Sequence, residues 1–274
     1  MKKPKVRNWS LLNYDKMTLD EWESYYYNKG IEELNNLTSS QIWMRSVENA
    51  GTRVAEFIRR EEYRKAIRSL GYALGLLCFF TRRFREDYKI GSLSEIVWHK
   101  YPGMCYGCAG KVSIKARATK EYTPCECLGM QGKDEDEDTL EFARKNKKKP
   151  LALDDWGTMV KEIYEGAHSA LPMSAICLHF IEEIGEVTKE LFTIESLKEH
   201  KDNEEKMYLI IKKLEEEIAD AFSWILGLLN KIDHLFAKAR DYYAKNTGLL
   251  PLKVSDVLYE SLKTFPKRII ESDS

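Results

Sequence analysis

Long apolar runs are absent from this sequence. The longest, Tyr72 to Phe80, covers nine residues, whereas a membrane-spanning helix needs about 20. Basic residues follow Met1, but no apolar signal-peptide core comes after them. An excess of charge is absent too, because 43 Lys and Arg against 44 Asp and Glu leave a net charge of -1. This balance argues against a general electrostatic attraction to nucleic acid. We therefore expect a cytoplasmic protein with no membrane segment and no nucleic acid as its principal partner.

Cysteine is scarce outside one short segment. Four of the six cysteines form a C-x-x-C pair and a C-x-C pair beside glycine or proline turns. They are Cys105, Cys108, Cys125 and Cys127. Four thiolates suit a closed, structural Zn²⁺ site in a reducing compartment. His99 is a reserve ligand, and the isolated Cys78 and Cys177 are expected in the core.

The chain otherwise has the pattern of an all-α protein. Its 274 residues and 43 % hydrophobic content are enough for a sizeable core. We predict four regions: an N-terminal helical domain (1–95), a zinc ribbon (96–132), a charged linker (133–152) and a C-terminal helical domain (153–274). A capping box at Thr18 to Glu21 begins the first helix, and Asp154 or Asp155 is a candidate N-cap for the helix that precedes Pro172. One more short helix is expected near Val254 to Leu262.

Two helical runs between Ile176 and Lys231 carry acidic pairs beside an apolar stripe. Glu183 and Glu186 share one helix face, and Glu217 and Asp220 share another. If the helices pack as an antiparallel hairpin, four carboxylates converge and repel one another unless a cation lies between them. Such hard oxygen ligands suit Mg²⁺. The alternative is two ordinary solvated faces, but these faces lack the regular i+4 lysines of a surface helix.

These residues resemble a known family. The motif Glu182-Glu183-x-x-Glu186, followed by Glu217-x-x-Asp220, is similar to the signature of the MazG-type all-α NTP pyrophosphohydrolases, a group that includes the dimeric dUTPases. The resemblance covers roughly Leu153 to Asn246, and Gly185 with Ile218-Ala219 also fits it. Thirty residues separate Glu186 from Glu217, slightly more than is usual. We assign the excess to a polar surface insertion.

The resemblance implies Mg²⁺- or Mn²⁺-dependent hydrolysis of a nucleoside triphosphate, ribo- or deoxyribo-, to the monophosphate and pyrophosphate. It implies that Glu183, Glu186, Glu217 and Asp220 hold one or two metal ions. Glu182 is a further ligand or the base. The implied substrate contacts are stacking of the base on Trp156 or Trp224 and polar contacts from Lys238 and Asn246. Core positions for the tryptophans and a surface position for Lys238 are the alternatives.

A weak internal repeat accompanies the motif. An offset of 134 places Val47 to Thr52 on Ile181 to Glu186, and an offset of 152 places Lys65 to Leu70 on Glu217 to Phe222. At the ligand positions the first copy has Asn49, Thr52, Lys65 and Arg68. That copy cannot hold metal, and its two cations are candidates to face substrate phosphates. Since MazG-type proteins typically build their bundle from two subunits, the repeat predicts an internal pseudo-dimer with residues 38–88 in the partner's place. Chance similarity between leucine-rich helices is the alternative.

The sequence thus predicts an all-α, MazG-like helical bundle with an inserted zinc ribbon, either a monomeric pseudo-dimer or a homodimer. Two other functions remain open: a non-catalytic nucleotide-binding protein and a zinc-ribbon regulator that binds nucleic acid. A di-iron bundle is disfavoured because neither acidic helix has a histidine three residues after a glutamate.

Overall fold

Helices form almost all of the regular structure in the part of the chain that the structure describes. The computed structural model describes residues 11–34, 36–111, 122–125, 136–198, 204–243, 252–263 and 265. Within these ranges there are helices and two isolated bridges but no strand, which confirms the all-α prediction. The α-helices are α1 Leu19–Leu34, α2 Ser39–Glu48, α3 Ala55–Arg59, α4 Tyr63–Tyr88, α5 Leu93–Lys100, α6 Glu137–Asn146, α7 Leu153–Ala170, α8 Met173–Lys198, α9 Glu204–Tyr243 and α10 Val254–Leu262.

Short helical segments complete the described chain. Leu11–Lys16 and Tyr106–Lys111 are 3₁₀ helices, and a π-helical segment, Asn49–Val54, joins α2 to α3. None of the described helices combines the length and apolar character that crossing a bilayer requires.

Local capping explains where several helices begin. Thr18 and Glu21 exchange the two hydrogen bonds of the predicted capping box, from Thr18 N–H to the Glu21 carboxylate at 2.9 Å and from Glu21 N–H to Thr18 Oγ1 at 3.2 Å. Ser92 and Glu95 form the same motif at the start of α5. The end of α7 before Pro172 and the short helix α10 also agree with the sequence.

The N-cap prediction for α7 is wrong by two or three residues. The N-cap residue is Ala152, whose N–H donates to the Asp155 carboxylate at 3.1 Å. Asp154 instead accepts hydrogen bonds from Ser255 N–H at 2.9 Å and Ser255 Oγ at 2.7 Å. A tertiary contact with the start of α10 therefore replaces the local cap at Asp154.

The predicted charged linker contains a helix, α6. Asp136 accepts a hydrogen bond from Thr139 N–H at 3.4 Å at its N-terminus. Its buried residues, Leu140 and Ala143, pack against Met104 and Ala109 in a small second cluster. The sequence prediction overlooked these two apolar residues at helical spacing among the charged ones. Because they are buried, the segment packs on the cysteine-containing region.

The helices before and after the cysteine-containing region share one hydrophobic core. We call α1 to α5 the N-terminal half and α7 to α10 the C-terminal half. Trp43 of α2 donates its indole N–H to Thr188 Oγ1 of α8 at 2.9 Å. Helices α2 and α3 pack on α8, and α4 packs on α9. The repeat hypothesis requires direct packing of this kind.

The two halves also exchange backbone hydrogen bonds where their first helices begin. Thr18 and Ala152 form an antiparallel bridge. Leu19 N–H donates to Leu151 C=O at 3.2 Å, and Leu153 N–H donates to Met17 C=O at 3.3 Å. The last helix of each half packs on the other half, because α5 packs on α9 and α10 packs on α4.

Candidate metal centre

The two acidic helices bring their carboxylates together as the sequence predicts. Helix α8 ends at Lys198 and α9 begins at Glu204, so the two long helices pack as a hairpin. Phe180, Leu214, Ile218 and Phe222 of these helices are fully buried, and the acidic residues lie half-buried beside them. Carboxylate oxygens of Glu183, Glu217 and Asp220 all lie within 4.8 Å of one another.

Glu186 completes this group through Glu217, to which it is hydrogen-bonded. A hydrogen bond between two carboxyl groups requires a proton on one of them. We call Glu183, Glu186, Glu217 and Asp220 the acidic centre. Glu182 lies outside it, since its side chain is exposed and pairs with His179 Nδ1 at 3.1 Å.

Crowding and burial alter the acidity of the acidic centre. Burial, followed by repulsion from Asp220, Glu217 and Glu186, raises the pKa of Glu183 to about 8. Burial also raises the pKa of Glu217 to about 7, against the opposing effect of Lys100 and with further repulsion from Asp220 and Glu186. Without a metal ion, the centre therefore retains protons at neutral pH. Oxygen ligands that repel one another at this spacing fit a hard divalent cation.

A lysine and a tyrosine from the N-terminal half reach the same centre. Lys100, the last residue of α5, places Nζ 2.6 Å from Asp220 Oδ2 and 3.3 Å from the Glu216 carbonyl oxygen. The hydroxyl of Tyr101 donates to Asp220 Oδ1. Both oxygens of Asp220 are therefore bound by groups that sequence reasoning did not connect with the acidic motif.

A column of stacked rings lies one helical turn from the acidic residues. Trp224 stacks between His168 and His179, at ring-centroid distances of 5.2 Å and 4.8 Å. Tyr164 continues the column at 5.3 Å from His168. Both faces of Trp224 are thus covered by protein rings. His179, which precedes Glu183 by one turn, is the outer member and is one-third exposed.

Of the remaining predicted substrate contacts, only Trp156 has a described side chain. Trp156 is fully buried between Trp98 and Phe222, which is the core position that the sequence left open. Lys238 lies in α9, but its side chain is outside the described part of the structure, and Asn246 is outside it altogether.

Three of the four zinc-candidate cysteines also converge. The sulfur atoms of Cys105, Cys108 and Cys125, here called the cysteine cluster, lie within 4.8 Å of one another and are buried. Cys108 N–H donates to Cys105 C=O at 3.2 Å, which closes the turn of the C-x-x-C pair. Cys127 lies outside the described residues, and His99 is exposed. Cys78 and Cys177 are buried in the core, as predicted.

Two tyrosines connect the cysteine cluster to the acidic centre. The ring of Tyr101, whose hydroxyl binds Asp220, packs edge-on against Tyr164 at 6.2 Å. Tyr164 is in turn hydrogen-bonded to Cys105. Buried side chains thus form a continuous path between the two candidate metal sites.

Sequence reasoning identified residues that the structure brings together in each cluster but missed Lys100, Tyr101 and the ring column. Tyr101 lies in the region predicted as a zinc ribbon, and no sequence pattern connects it with the acidic motif. No local pattern around Lys100 shows that α5 packs on α9. Only the tertiary fold brings these residues to the acidic helices.

Comparison of the chain with protein-family models, with curated proteins and with solved structures found no match.

Proposed function

We propose that this chain is a Mg²⁺- or Mn²⁺-dependent nucleoside triphosphate pyrophosphohydrolase of the MazG type. It would convert a nucleoside or deoxynucleoside triphosphate to the monophosphate and pyrophosphate. The observation that carries the proposal is the convergence of Glu183, Glu217 and Asp220 within 4.8 Å, with Glu186 hydrogen-bonded to Glu217. These are the four positions of the acidic motif, and they come from two separate helices.

In the proposed reaction, the acidic centre binds the metal and positions the triphosphate. When bound, the metal neutralises charge on the phosphates and lowers the pKa of a water molecule. The water oxygen bonds to the α-phosphorus, the bond from that phosphorus to the α,β-bridging oxygen breaks, and pyrophosphate leaves with that oxygen. The water proton needs an acceptor, for which Glu182, paired with His179 at 3.1 Å, is our candidate.

The cysteine cluster supports a second, structural metal. We assign Zn²⁺ to Cys105, Cys108 and Cys125, with Cys127 as the fourth ligand. Three buried sulfur atoms within 4.8 Å leave a thiolate-binding ion as the simplest occupant in a reducing compartment. In this role the metal would fix the zinc ribbon against α7, because Cys125 N–H already donates to Ile163 C=O at 2.6 Å.

The pseudo-dimer is part of the same proposal. The offset of 134 also aligns Leu19-Asp20-Glu21-Trp22 with Leu153-Asp154-Asp155-Trp156. An offset of 161 aligns Leu93 to Trp98 in α5 with Val254 to Tyr259 in α10. The reciprocal hydrogen bonds between Leu19 and Leu151 and between Leu153 and Met17 are those expected across a two-fold axis. These correspondences support two related halves, of which only the second retains the acidic ligands.

A substrate panel tests the proposal. Purified protein is incubated with each of the ribo- and deoxyribonucleoside triphosphates and Mg²⁺, and the products are separated by ion-exchange chromatography. We expect equimolar monophosphate and pyrophosphate from at least one substrate, and no activity in excess EDTA. Release of inorganic phosphate together with a nucleoside diphosphate would exclude the proposed reaction, and so would tight nucleotide binding without products. Tight binding alone would favour the non-catalytic alternative.

A further inference from the structure

A lysine of the N-terminal half forms an ion pair with the acidic centre. Lys100 has an exposed side-chain fraction of 11 %, and its partner Asp220 has 16 %. Lysine is almost never buried without a partner. Here the partner is one of the carboxylates that converge on a single point, so Lys100 and a divalent ion would compete for the same oxygen atoms.

The backbone that carries Lys100 is fixed at both ends. At the start of α5, Leu93 N–H donates to Glu23 at 2.8 Å, and Gly91 N–H donates to Glu215 of α9 at 2.9 Å. At its end, the Tyr101 hydroxyl binds Asp220. Displacement of the ammonium by a metal ion would therefore move the flexible side chain and leave α5 in place. The ammonium would remain beside the centre.

We propose that Lys100 is a substrate-binding residue, whose ammonium binds Asp220 in the metal-free protein and the phosphate oxygens of the nucleotide once a divalent ion binds Asp220. This inference rests on the proposed function. Two arguments support it. A triphosphate brings several negative charges to a centre that already has four carboxylates, so a nearby cation is needed. Moreover, a permanent Lys100–Asp220 pair would leave the metal without one of its ligands.

The alternative is a permanent structural ion pair. A buried pair of that kind is disrupted when one partner is removed, because the other charge remains unpaired. The carboxylate left unpaired would then also attract a metal ion more strongly, so tighter metal binding alone does not separate the two explanations. A permanent pair would instead keep Lys100 equally protected with and without metal, which can be measured without any substrate.

The first experiment titrates Mn²⁺ against the metal-free full chain and follows the signal of free Mn²⁺ by EPR at pH 8.5. We expect Lys100→Met to bind Mn²⁺ about tenfold more tightly than wild type, because the competing cation is gone. Lys189→Met is the matched control, since Lys189 is exposed, pairs with Glu190 at 3.3 Å and lies on the same side of α8 as Glu186. It should change the affinity by less than about twofold. Equal or weaker Mn²⁺ binding in Lys100→Met would overturn the proposal.

The second experiment follows Lys100 in the wild-type chain and so does not depend on the folding of a variant. Acetylation with limiting reagent, quantified by mass spectrometry, should modify Lys100 faster in saturating Mg²⁺ than in EDTA, with Lys189 unchanged. Equal acetylation rates at Lys100 in Mg²⁺ and in EDTA would overturn the proposal that a metal ion displaces Lys100 from Asp220.

Turnover then tests the substrate-binding role. Lys100→Met should raise KM for the nucleotide by at least about tenfold despite tighter metal binding, and Lys100→Arg should restore part of the loss. An unchanged KM would overturn substrate binding. If wild type hydrolyses no nucleotide, the proposed function and the phosphate-binding role both fail. The Mn²⁺ titration and the acetylation still decide whether Lys100 exchanges with metal.

Discussion

The two halves of the molecule share a packing feature but differ in their polar residues. In each half, a glycine of the longest helix allows a ring of the first helix to approach closely. A Cβ atom at Gly75 would lie 2.3 Å from Tyr26, and one at Gly227 would lie 2.6 Å from His168. The aligned segments that contain these glycines are buried in both halves. The similarity thus resides in helix packing, which depends on the spacing of apolar residues and on small residues at contacts.

The polar positions differ completely between the halves. Asn49 is buried and donates Nδ2–H to the Ser69 carbonyl at 2.8 Å, so it connects the π-helical segment to α4. Thr52 bonds to the Glu48 carbonyl within its own helix at 2.6 Å, and Lys65 pairs with Glu62 at 2.5 Å. The corresponding residues of the C-terminal half face one another. In the N-terminal half these positions thus hold neutral side chains or an exposed ion pair, although Asn49 Oδ1 has no hydrogen-bond partner in the described structure. The C-terminal half instead brings mutually repelling carboxylates together.

The largest predicted effect comes from substitution of the acidic residues in the C-terminal half. Glu186→Gln and Asp220→Asn should each lower pyrophosphate release by more than about 100-fold, since changes one shell further from a metal already cost about 10- to 100-fold. Circular dichroism should remain that of the wild type, because the apolar contacts of α8 and α9 are unchanged. Thr52→Val, at the position that the repeat aligns with Glu186, is the control and should retain activity. Full activity in either acidic variant would remove it from the metal site.

The next effect concerns the region between the halves. Cys105→Ser should lower bound zinc from about one ion per chain to a substoichiometric amount and weaken Mn²⁺ binding at the acidic centre, because Tyr164 and Tyr101 connect the two sites. Metal analysis and the EPR titration measure the two effects. Cys177→Ser, which alters a buried cysteine outside the cluster, is the control for mutation of a buried thiol. Zinc-free wild type with normal stability would mean that the cluster has another role.

The sequence predicted features that depend on residues close together in the chain, and it failed where distant residues meet. Periodicity located the helices and placed Glu183 with Glu186 and Glu217 with Asp220, because side chains three or four residues apart must share a face. The convergence of the two pairs followed from the expected antiparallel hairpin. Local charge misled the prediction for α6, where two buried apolar residues outweigh the charged ones. The partners of Asp154 and Asp220 were not predictable, since Ser255 and Lys100 are more than 100 residues away in sequence. Their encounter depends on helix packing, which no local pattern encodes.

The pH dependence of stability sharpens the comparison, because each half contains a carboxyl group with a raised pKa. Burial raises the pKa of Glu23 to about 7, although the Leu93 N–H and Arg85 oppose the shift. Glu183, with a pKa of about 8, is raised by burial and by its acidic neighbours. Between about pH 5 and 8 the folded state therefore holds protons that the unfolded chain has released. The free energy of unfolding of the metal-free protein should fall as pH rises through this window.

Saturating Mg²⁺ separates the two contributions. Metal binding requires ionised ligands, so Mg²⁺ should remove the part of the slope that comes from Glu183 and Glu217, whose pKa values are both raised, and leave the part from Glu23. Glu183→Gln should raise metal-free stability at pH 8 and weaken Mg²⁺ binding. Glu23→Gln should keep an acceptor for Leu93 N–H. It should also remove the Mg²⁺-insensitive loss of stability between about pH 5 and 8, which is on the order of 3 kcal/mol for a fully buried group. Urea denaturation at several pH values, with EDTA or Mg²⁺, gives both slopes. A metal-free stability that is constant from pH 5 to 8 contradicts the assignment.

A smaller effect is expected at Asn49, which the repeat aligns with Glu183. Asn49→Ala should destabilise the protein by about 1 kcal/mol through the lost hydrogen bond to Ser69. Asn49→Asp should cost more, about 2 to 4 kcal/mol, because it buries a carboxylate that faces a carbonyl oxygen. Neither change should alter Mn²⁺ affinity. Urea denaturation in EDTA measures the stabilities of wild type and the two variants. An Asn49→Asp variant as stable as wild type would show that this position tolerates a carboxylate.

The smallest effect is expected at the cations of the N-terminal half. The hypothesis that Lys65 and Arg68 face substrate phosphates requires them near the acidic centre, but both side chains are exposed, and Lys65 pairs with Glu62 at 2.5 Å. Exposed pairs of this kind contribute little because water and salt screen them. Lys65→Met and Arg68→Gln should therefore leave KM unchanged within about twofold, whereas Lys100→Met should raise it. Steady-state kinetics on the three variants at equal Mg²⁺ gives the contrast. A raised KM in Arg68→Gln would mean that the N-terminal half contributes a second cation to the substrate. Lys100 of α5 would then act together with Arg68 of α4.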